Sequence, residues 1–174
     1  MKLSREFFSR NTKTVAKDLL GKILVHGNLR GKIVETEAYF GAGDPGSHAF
    51  KQTPRSKVMF GPPGHAYVYF TYGTHWMLNF VAEKDGKPGA VLIRALEPIE
   101  PKDVRTNGPG LLTKAFKIDK SHNGIDLTTS ELYVKHSDEK PKIVTTTRIG
   151  LAKGKGNDLK LRFYIAGNNF VSRK

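Results

Sequence analysis

Short runs of β-branched and aromatic residues, separated by glycine-rich turns, occupy most of this chain, and such runs are typical of β-strands. From His65 to Thr71 the side chains alternate between two sets, as successive side chains of a strand do. The pattern predicts strands at residues 22–25, 32–39, 65–71, 76–82, 90–96, 132–136, 143–148 and 161–165.

Two segments have the longer period of a helix instead. Between Asn11 and Leu20 the apolar residues fall on one face, and Asn11 is a suitable N-cap. Gly21 can adopt the left-handed conformation that often ends a helix. A second helix is predicted from the Asn-Gly-Pro-Gly sequence at 107–110 to about Ile118.

The order of these elements predicts the fold class. Turns at Tyr72-Gly73 and Lys84-Asp85-Gly86 join three consecutive strands into an antiparallel meander. Residues 41–64 are rich in glycine and proline and form a long loop, which is usually functional or disordered. No repeat or linker divides the 174 residues. We therefore predict a single α+β domain over residues 1–174, with a curved antiparallel sheet and peripheral helices.

The charge balance indicates a polyanionic partner. The chain has 29 Lys and Arg against 16 Asp and Glu, a formal net charge of +13. Nucleic acid is favoured over a membrane, because neither a basic amphipathic helix nor an apolar segment of ~20 residues is present. The absence of cysteine excludes disulfides and thiolate catalysis. The charged N-terminus does not resemble a signal peptide, so we expect a soluble, cytoplasmic, nucleoid-associated protein.

The stretch Lys32–Tyr39 places two carboxylates on one strand. In a regular strand Ile33, Glu35, Glu37 and Tyr39 would share a face. One interpretation is a general base beside an aromatic ring that stacks on a flat substrate; the other is a half-exposed strand whose glutamates pair with lysines. The residues by themselves do not decide between these interpretations. They also do not show which of the two glutamates would be the general base.

Arg94 interrupts the otherwise apolar strand at 90–96. A guanidinium group keeps its charge and needs an anionic partner when it is buried. An ion pair of Arg94 with Glu35 or Glu37 would account both for the arginine in an apolar strand and for the carboxylates on the other strand. The pair would be either purely structural or would hold a water molecule between its members.

Aromatic residues crowd the first predicted hairpin. Tyr72, at its tip, is suited to insertion between bases, whereas Tyr67 and Phe70 are predicted to belong to the core. Among the six histidines His48 stands out, because it lies in the loop that follows the glutamate strand. No histidine pair has metal-ligand spacing and there is no cysteine, so no metal site is predicted.

Taken in order, these motifs resemble the alkyladenine (3-methyladenine) DNA glycosylase family. The resemblance runs from about Leu19 to the C-terminus, and its specificity lies in the joint order and spacing of short motifs. The matching residues are Ile33-Val34-Glu35-Thr36-Glu37-Ala38-Tyr39, His48, Gln52-Thr53-Pro54-Arg55, Met59-Phe60, Pro63-Gly64, Tyr67-Val68-Tyr69, Tyr72-Gly73, Asn79, Arg94-Ala95-Leu96-Glu97-Pro98, Arg148-Ile149-Gly150 and Leu161-Arg162-Phe163-Tyr164.

The resemblance implies a function and a set of site residues. The function is hydrolysis of the N-glycosidic bond of alkylated or otherwise damaged purines, flipped out of double-stranded DNA, which initiates base excision repair. The resemblance also implies an open-barrel-like fold, a monomer, and no cofactor or metal. The implied residues are Glu37 as general base; Arg94 and the Ile149 carbonyl to hold the attacking water; Tyr39, His48 and Tyr69 as pocket walls; Asn79 to crowd the amino group of guanine; and Tyr72 with Thr74 at the intercalating tip.

The sequence departs from the family pattern at two positions. Leu111 stands where relatives often have a phosphate-binding lysine, and Thr74 replaces a bulkier apolar residue. The residues themselves leave two other function classes open. A non-enzymatic nucleic-acid-binding domain would suit the charge and the aromatic residues equally well. A small-molecule glycoside hydrolase is disfavoured by the charge and by the lack of a clear second catalytic carboxylate.

Overall fold

The computed structural model describes residues 1–84 and 86–174. Within these residues the strands are β1 (Ile23–His26), β2 (Leu29–Tyr39), β3 (Ala66–Thr71), β4 (His75–Val81), β5 (Ala90–Glu100), β6 (Leu132–Lys135), β7 (Ile143–Thr146) and β8 (Arg162–Ile165). The α-helices are α1 (Arg5–Phe8), α2 (Thr12–Asp18) and α3 (Pro109–Ala115). Each predicted strand and helix is confirmed with shifted ends, whereas α1 was not predicted.

The strands form one antiparallel sheet that forks at β2. The order is β3-β4-β5-β2-β1-β6, and β8, which carries β7 on its other edge, also pairs with β2. The first part of β2 pairs with β1 and the later part with β8, while β5 runs along the opposite side. The sheet is curled into a half-barrel, and the α+β fold class with a curved antiparallel sheet is confirmed. The end of β2 is thus enclosed between two strands.

Helix α2 packs on one face of β2. Its N-cap is Asn11, whose side chain accepts hydrogen bonds from the backbone amides two and three residues later. Replacing such a cap typically costs ~1 kcal/mol. Ala16 is fully buried and its carbonyl accepts a hydrogen bond from the Thr36 hydroxyl at 2.8 Å. Gly21 has the predicted left-handed conformation, with a φ of +84°, but the helix ends at Asp18 with Leu19 as its C-cap, so Gly21 lies two residues beyond the cap.

The pairing of β2 with β5 has three register shifts, and two of them lie on either side of Glu35. Val34 is the extra residue on β2, and Arg94 is the extra residue on β5. Bulges of this kind re-aim side chains and interrupt the alternation of faces. The predicted shared face therefore does not extend to Ile33, which packs into the hydrophobic core, whereas Glu35 and Glu37 both lie against Arg94.

The outer hairpin, β3–β4, corrects one burial prediction. Tyr67 is buried as predicted, but Phe70 is 45% exposed, so its assignment to the core was wrong. β3 ends the sheet, and near the hairpin tip the Phe70 ring packs against Trp76, with ring centres 4.8 Å apart. The predicted turn at Lys84-Asp85-Gly86 includes Asp85, which lies outside the described residues.

The long loop contains short 3₁₀ helices at His48–Phe50 and Lys57–Phe60. In this loop, buried polar side chains form hydrogen bonds with the backbone in place of those of a regular helix or strand. Ser56 is fully buried, and its hydroxyl donates to the carbonyl of Lys51. The loop is therefore packed against the sheet beside the end of β2.

Candidate active site

A cavity of about 300 Å³ opens beside the end of β2, between the β3–β4 hairpin and the segment after β7. This volume is at the lower end of the range for small-molecule sites. Seven of the nine predicted site residues line it: Tyr39, His48, Tyr69, Tyr72, Asn79, Arg94 and Ile149. The other two are Glu37, which lies behind the wall, and Thr74, which lies on the outer surface.

Glu37 has no exposed surface and is bonded to three residues of the cavity wall. Its Oε1 accepts a hydrogen bond from the Ile149 amide at 2.8 Å, and its Oε2 accepts one from the Tyr39 hydroxyl at 2.6 Å. Arg94 Nη1 is 3.5 Å from Oε1. The family resemblance implies that the Ile149 carbonyl holds the attacking water; the hydrogen bond from the Ile149 amide to Glu37 is an additional contact that was not predicted.

Burial raises the pKa of Glu37 above its ordinary value of 4.5, and the charge of Arg94 with the two hydrogen bonds offsets part of that rise. Burial and the Glu37 carboxylate together raise the pKa of Tyr39 well above its ordinary value. The phenol therefore stays protonated and donates to the carboxylate. A carboxylate with a raised pKa accepts a proton more readily, which suits a general base.

Glu35, two residues earlier, is equally buried and has its own partners. Arg162 Nη1 donates to Oε1 at 2.9 Å, and the Ser172 amide donates to Oε2 at 2.7 Å. Arg94 Nε is 3.4 Å from the same Oε1. The predicted ion pair of Arg94 is thus confirmed with both glutamates, whereas the contributions of Arg162 and Ser172 were not predicted.

Arg148 joins three segments around the cavity, and sequence reasoning missed it. Its guanidinium donates to both carboxylate oxygens of Asp44, at 2.6 and 2.7 Å, and to the carbonyls of Ala38 and Gly156. It also lies 4.6 Å from the ring centre of Tyr39. Burial opposes ionisation of Asp44, but the hydrogen bonds and charge of Arg148 outweigh it and lower the pKa of that carboxyl. This arrangement fixes the backbone that carries the Ile149 amide.

Three aromatic side chains form the opposite wall. His48 Nδ1 is hydrogen-bonded with the Tyr67 hydroxyl at 3.0 Å, and the edge of the His48 ring approaches Tyr69 with centres 4.5 Å apart. Arg55 covers Tyr69 at 4.8 Å from its ring centre. Burial, and then the charge of Arg55, lowers the pKa of His48, so a neutral imidazole is present at pH 7. Tyr67 was predicted only as a core residue, yet it also lines the cavity.

Asn79 lies on β4, directly opposite Tyr67 on β3. It is 4% exposed, and its side-chain nitrogen donates to the Tyr67 carbonyl at 3.2 Å. Met77 and Leu92 lie beside it in the lining. A fixed amide among apolar side chains can discriminate between ligands by shape and by the polar group they present.

Tyr72 stands at the hairpin tip and is 77% exposed. Its φ of +54° is uncommon for a residue other than glycine, and such conformations occur where the surrounding structure holds them. The Thr74 amide donates to the Thr71 carbonyl and closes the turn. Thr74 itself is exposed but does not line the cavity, so the two predicted tip residues occupy different surroundings.

The described residues contain no group of three or more histidine, aspartate or glutamate side chains placed to hold a metal ion. Nor does any helix in the same part of the chain have the length and apolar character to cross a membrane.

A family model for methylpurine-DNA glycosylases (MPG) matches residues 6–169. The chain belongs to the methylpurine-DNA glycosylase family. It is accordingly a DNA glycosylase, an enzyme that hydrolyses N-glycosyl bonds. Of the function classes left open by the residues, the non-enzymatic binding domain and the small-molecule glycoside hydrolase are thereby excluded, and DNA is the substrate.

Relatives of nearly equal length support the same assignment. Proteins with the provisional name 3-methyladenine DNA glycosylase are similar to this glycosylase over almost their full lengths. The protein from Legionella pneumophila strain Corby is 48% identical, with 99% of this chain and 98% of the relative covered. The protein from Carboxydothermus hydrogenoformans is 47% identical with both chains fully covered, and the one from Clostridium acetobutylicum is 44% identical with 99% and 98% covered.

Proposed function

We propose that this glycosylase excises alkylated purines of the 3-methyladenine type from duplex DNA, after the damaged nucleotide has rotated into the cavity, and that Glu37 activates the attacking water. The observation that carries the proposal is the position of Glu37, whose carboxylate is bonded to Tyr39, Ile149 and Arg94 at the wall of an aromatic cavity.

The aromatic walls fit a cationic purine. Alkylation places a positive charge on the base, and the faces of Tyr39 and Tyr69 attract such a cation more strongly than a neutral base. The neutral ring of His48 adds a polar edge without like-charge repulsion. Asn79, held by its hydrogen bond to the Tyr67 carbonyl, crowds the exocyclic amino group that distinguishes guanine from adenine.

The target base cannot be reached inside the stack, so the nucleotide has to rotate out at a cost of a few kcal/mol, which is lowest for weakened pairs. Tyr72, exposed at the tip beside the cavity, occupies the space left in the duplex. Stacking of one aromatic side chain on a base contributes ~1–3 kcal/mol, which offsets part of the cost. Thr74 supports the tip through its backbone hydrogen bond.

The reaction needs one proton transfer to the enzyme. Water enters beside the longest contact of Glu37, the 3.5 Å contact with Arg94, where the least rearrangement is required. Arg94 and the Ile149 carbonyl hold it. The water oxygen bonds to the sugar carbon, its proton passes to Glu37, and the electron pair of the glycosidic bond leaves with the purine, whose charge is neutralised. The Glu37 carboxylate stabilises the oxocarbenium-like transition state.

One carboxylate is sufficient because a cationic purine is a good leaving group. Sugar hydrolases usually use two carboxylates, one of which protonates the leaving group. The second carboxylate here, Glu35, is held by hydrogen bonds from Arg162 and the Ser172 amide, neither of which lines the cavity, whereas Glu37 is hydrogen-bonded to the lining residues Tyr39 and Ile149. It is therefore not available as a general acid.

Glu37→Gln tests the proposal. The amide cannot take a proton from water, so excision should fall by roughly 10²–10⁴-fold, the usual contribution of general-base catalysis. Single-turnover release of base from an alkylated duplex measures the chemical step, and fluorescence anisotropy measures DNA binding, which should change by less than about twofold because Glu37 lies behind the wall.

Glu131→Gln is the matched control, because it makes the same chemical change at an exposed position. It should leave both excision and binding at the wild-type level. If Glu37→Gln excised the damaged base as fast as the wild type, Glu37 would not be the base. Analytical ultracentrifugation with and without duplex DNA tests the expectation that the enzyme acts as a monomer.

A further inference from the structure

Two carboxylates and two guanidinium groups lie together at the cavity wall, with Arg94 in the lining and the other three behind it. These four residues, Glu35, Glu37, Arg94 and Arg162, are called the buried charge group. The glutamate side chains have no exposed surface, and those of Arg94 and Arg162 are 10% and 5% exposed. At this burial an ion without a partner is strongly destabilising, so the two negative and two positive charges depend on one another.

The two arginines contact the two glutamates at different distances. Arg162 forms a direct hydrogen bond with Glu35 at 2.9 Å. Arg94 lies 3.4 Å from Glu35 and 3.5 Å from Glu37, and its Nε has no hydrogen-bond partner among the described residues. Arg94 is thus almost equidistant from the two carboxylates.

Arg162 is itself fixed by backbone groups. Its Nε donates to the Thr147 carbonyl at 2.9 Å, and its Nη1 also donates to the Arg173 carbonyl at 2.7 Å. The neighbouring Ser172 amide supplies the second hydrogen bond to Glu35. The end of the chain therefore closes over Glu35 and orients its partner.

We propose that Arg162 is a positioning residue for Glu37, acting with the backbone of residues 172–173. Because Arg162 supplies a positive charge and a hydrogen bond to Glu35, Arg94 stays between the two glutamates. The charge of Arg94 therefore also stabilises the Glu37 carboxylate. The inference rests on the proposed role of Glu37 as the base. A shared cation favours the ionised form of Glu37 but does not lock it in a close ion pair, so the carboxylate can still accept a proton.

The other charged and titratable groups around Glu37 come from separate elements. Tyr39 is bonded to it, Tyr69 faces it from β3, and Arg148 adds a positive charge that is paired with Asp44. None of these groups forms a hydrogen bond or ion pair with Arg162 among the described residues. A change at Arg162 therefore reaches Glu37 through Glu35 and Arg94.

The test is the pH dependence of single-turnover excision of one alkylated duplex between pH 5 and 9, so that titration of the substrate is the same for every variant. In Arg162→Met, Arg94 should move closer to Glu35, and the pKa of Glu37 should rise. The acid limb of the pH profile, where excision falls as the pH is lowered, should therefore shift to higher pH. Excision at pH 6 should fall by about tenfold and largely return at pH 8. Arg162→Lys, which keeps the charge, should recover most of the activity at pH 6.

Arg30→Met is the matched control. Arg30 pairs with Glu100 at an exposed position near the start of β2, seven residues and about 23 Å along the strand from Glu37. This variant should have the wild-type pH profile. Circular dichroism and thermal unfolding of each variant establish that it is folded at the pH values used.

Glu35→Gln provides the opposite shift. It removes one negative charge, so Arg94 is left with Glu37 alone and the acid limb should move to lower pH. The amide oxygen in Glu35→Gln can still accept a hydrogen bond from Arg162, but the NH2 group cannot accept one from the Ser172 amide, so the folding of this variant is checked in the same way. Its shift provides a second test if Arg162→Met does not fold.

An acid limb that stays in place in folded Arg162→Met, or in Glu35→Gln, would overturn the inference and leave Arg162 a purely structural residue. Glu37→Gln separates this failure from failure of the proposed function. If Glu37→Gln is inactive while the other profiles are unmoved, only the positioning role is lost. If Glu37→Gln keeps full activity, the role of the base itself is wrong.

Discussion

Glu37 combines complete burial with three donors, and this combination defines its chemistry. Burial disfavours the carboxylate, while the Tyr39 hydroxyl, the Ile149 amide and the charge of Arg94 favour it. In the proposed role of base, Glu37 is active only when ionised, so activity should fall as the pH drops through the pKa of Glu37. Because that pKa is raised above 4.5, the loss should occur at a higher pH than for an exposed glutamate.

Tyr39→Phe isolates one of these donors. The variant keeps the ring but removes the hydrogen bond to Glu37, so the pKa of Glu37 rises further and a smaller fraction of the base is ionised at a given pH. A hydrogen bond to a charged group contributes ~1.5–3 kcal/mol, so excision on the acid side should fall by roughly tenfold or more. The pH profile of single-turnover excision measures this.

Tyr133→Phe on β6 removes a hydroxyl remote from the cavity and should leave the profile unchanged. A Tyr39→Phe enzyme with the wild-type acid limb would show that the 2.6 Å contact has no effect on the base.

At the scale of elements, bulges and close loop contacts bring the site together. The register shift at Arg94 turns a guanidinium out of an apolar strand and towards the glutamates of β2. The loop after β2 approaches the segment after β7 so closely that a Cβ at Gly46 would lie 2.7 Å from the Lys155 carbonyl. Arg148 then bonds both segments through Asp44 and Gly156. The cavity wall is therefore a junction of elements distant in sequence.

The β3–β4 hairpin carries the prediction that belongs to this scale. Tyr72→Ala removes the ring that is proposed to fill the duplex and should weaken binding to a lesion-containing duplex by ~1–3 kcal/mol, roughly fivefold to 150-fold. Tyr72→Phe keeps the ring and should bind nearly as well as the wild type. Binding is measured by fluorescence anisotropy with a duplex that carries an uncleavable abasic analogue.

Thr74→Ala tests the second predicted tip residue. Its side chain does not line the cavity, so the loss should be much smaller than for Tyr72→Ala. Equal losses for both variants would contradict a specific role of the Tyr72 ring and point to a general disturbance of the turn.

For the molecule as a whole, the net charge is +13, and we expect it to make a large contribution to DNA binding. Basic residues occur in the two chain segments that contribute His48 and Ile149 to the cavity wall. The exposed members are Lys51, Arg55, Lys57, Lys153, Lys155 and Lys160. A polyanion bound over the cavity would displace its counterions along these two segments, so binding should depend strongly on salt.

If about five of these side chains contact phosphates, log–log plots of affinity against salt should have a slope of roughly −4 to −5. Replacing Lys153, Lys155 and Lys160 together by alanine should reduce the slope, because three counterions fewer are displaced. The control is the pair Lys13→Ala and Lys135→Ala, exposed residues on α2 and β6 that do not flank the cavity. A slope near zero for the wild-type enzyme would argue against binding of the DNA backbone.

Local sequence determined the elements and part of the site. Asn11 caps the start of α2 and Gly21 lies just beyond its end, because capping depends on a few adjacent residues. Tyr72 was predicted at the tip because a turn is a local feature. The motif order identified the family, and the conspicuous charges of Glu37 and Arg94 drew attention to their strands.

Only the tertiary structure decided how these residues work together. Ile149 reaches Glu37 across 112 residues, and Arg162 and Ser172 reach Glu35 across 127 and 137. No periodicity along the chain encodes such contacts, since they depend on where β8 and the C-terminal residues meet the forked sheet. The bulges beside Glu35 and the exposure of Phe70 were missed for the same reason: burial and partnership are set by neighbours that fold in from elsewhere, whereas propensity is set by the residue and those next to it.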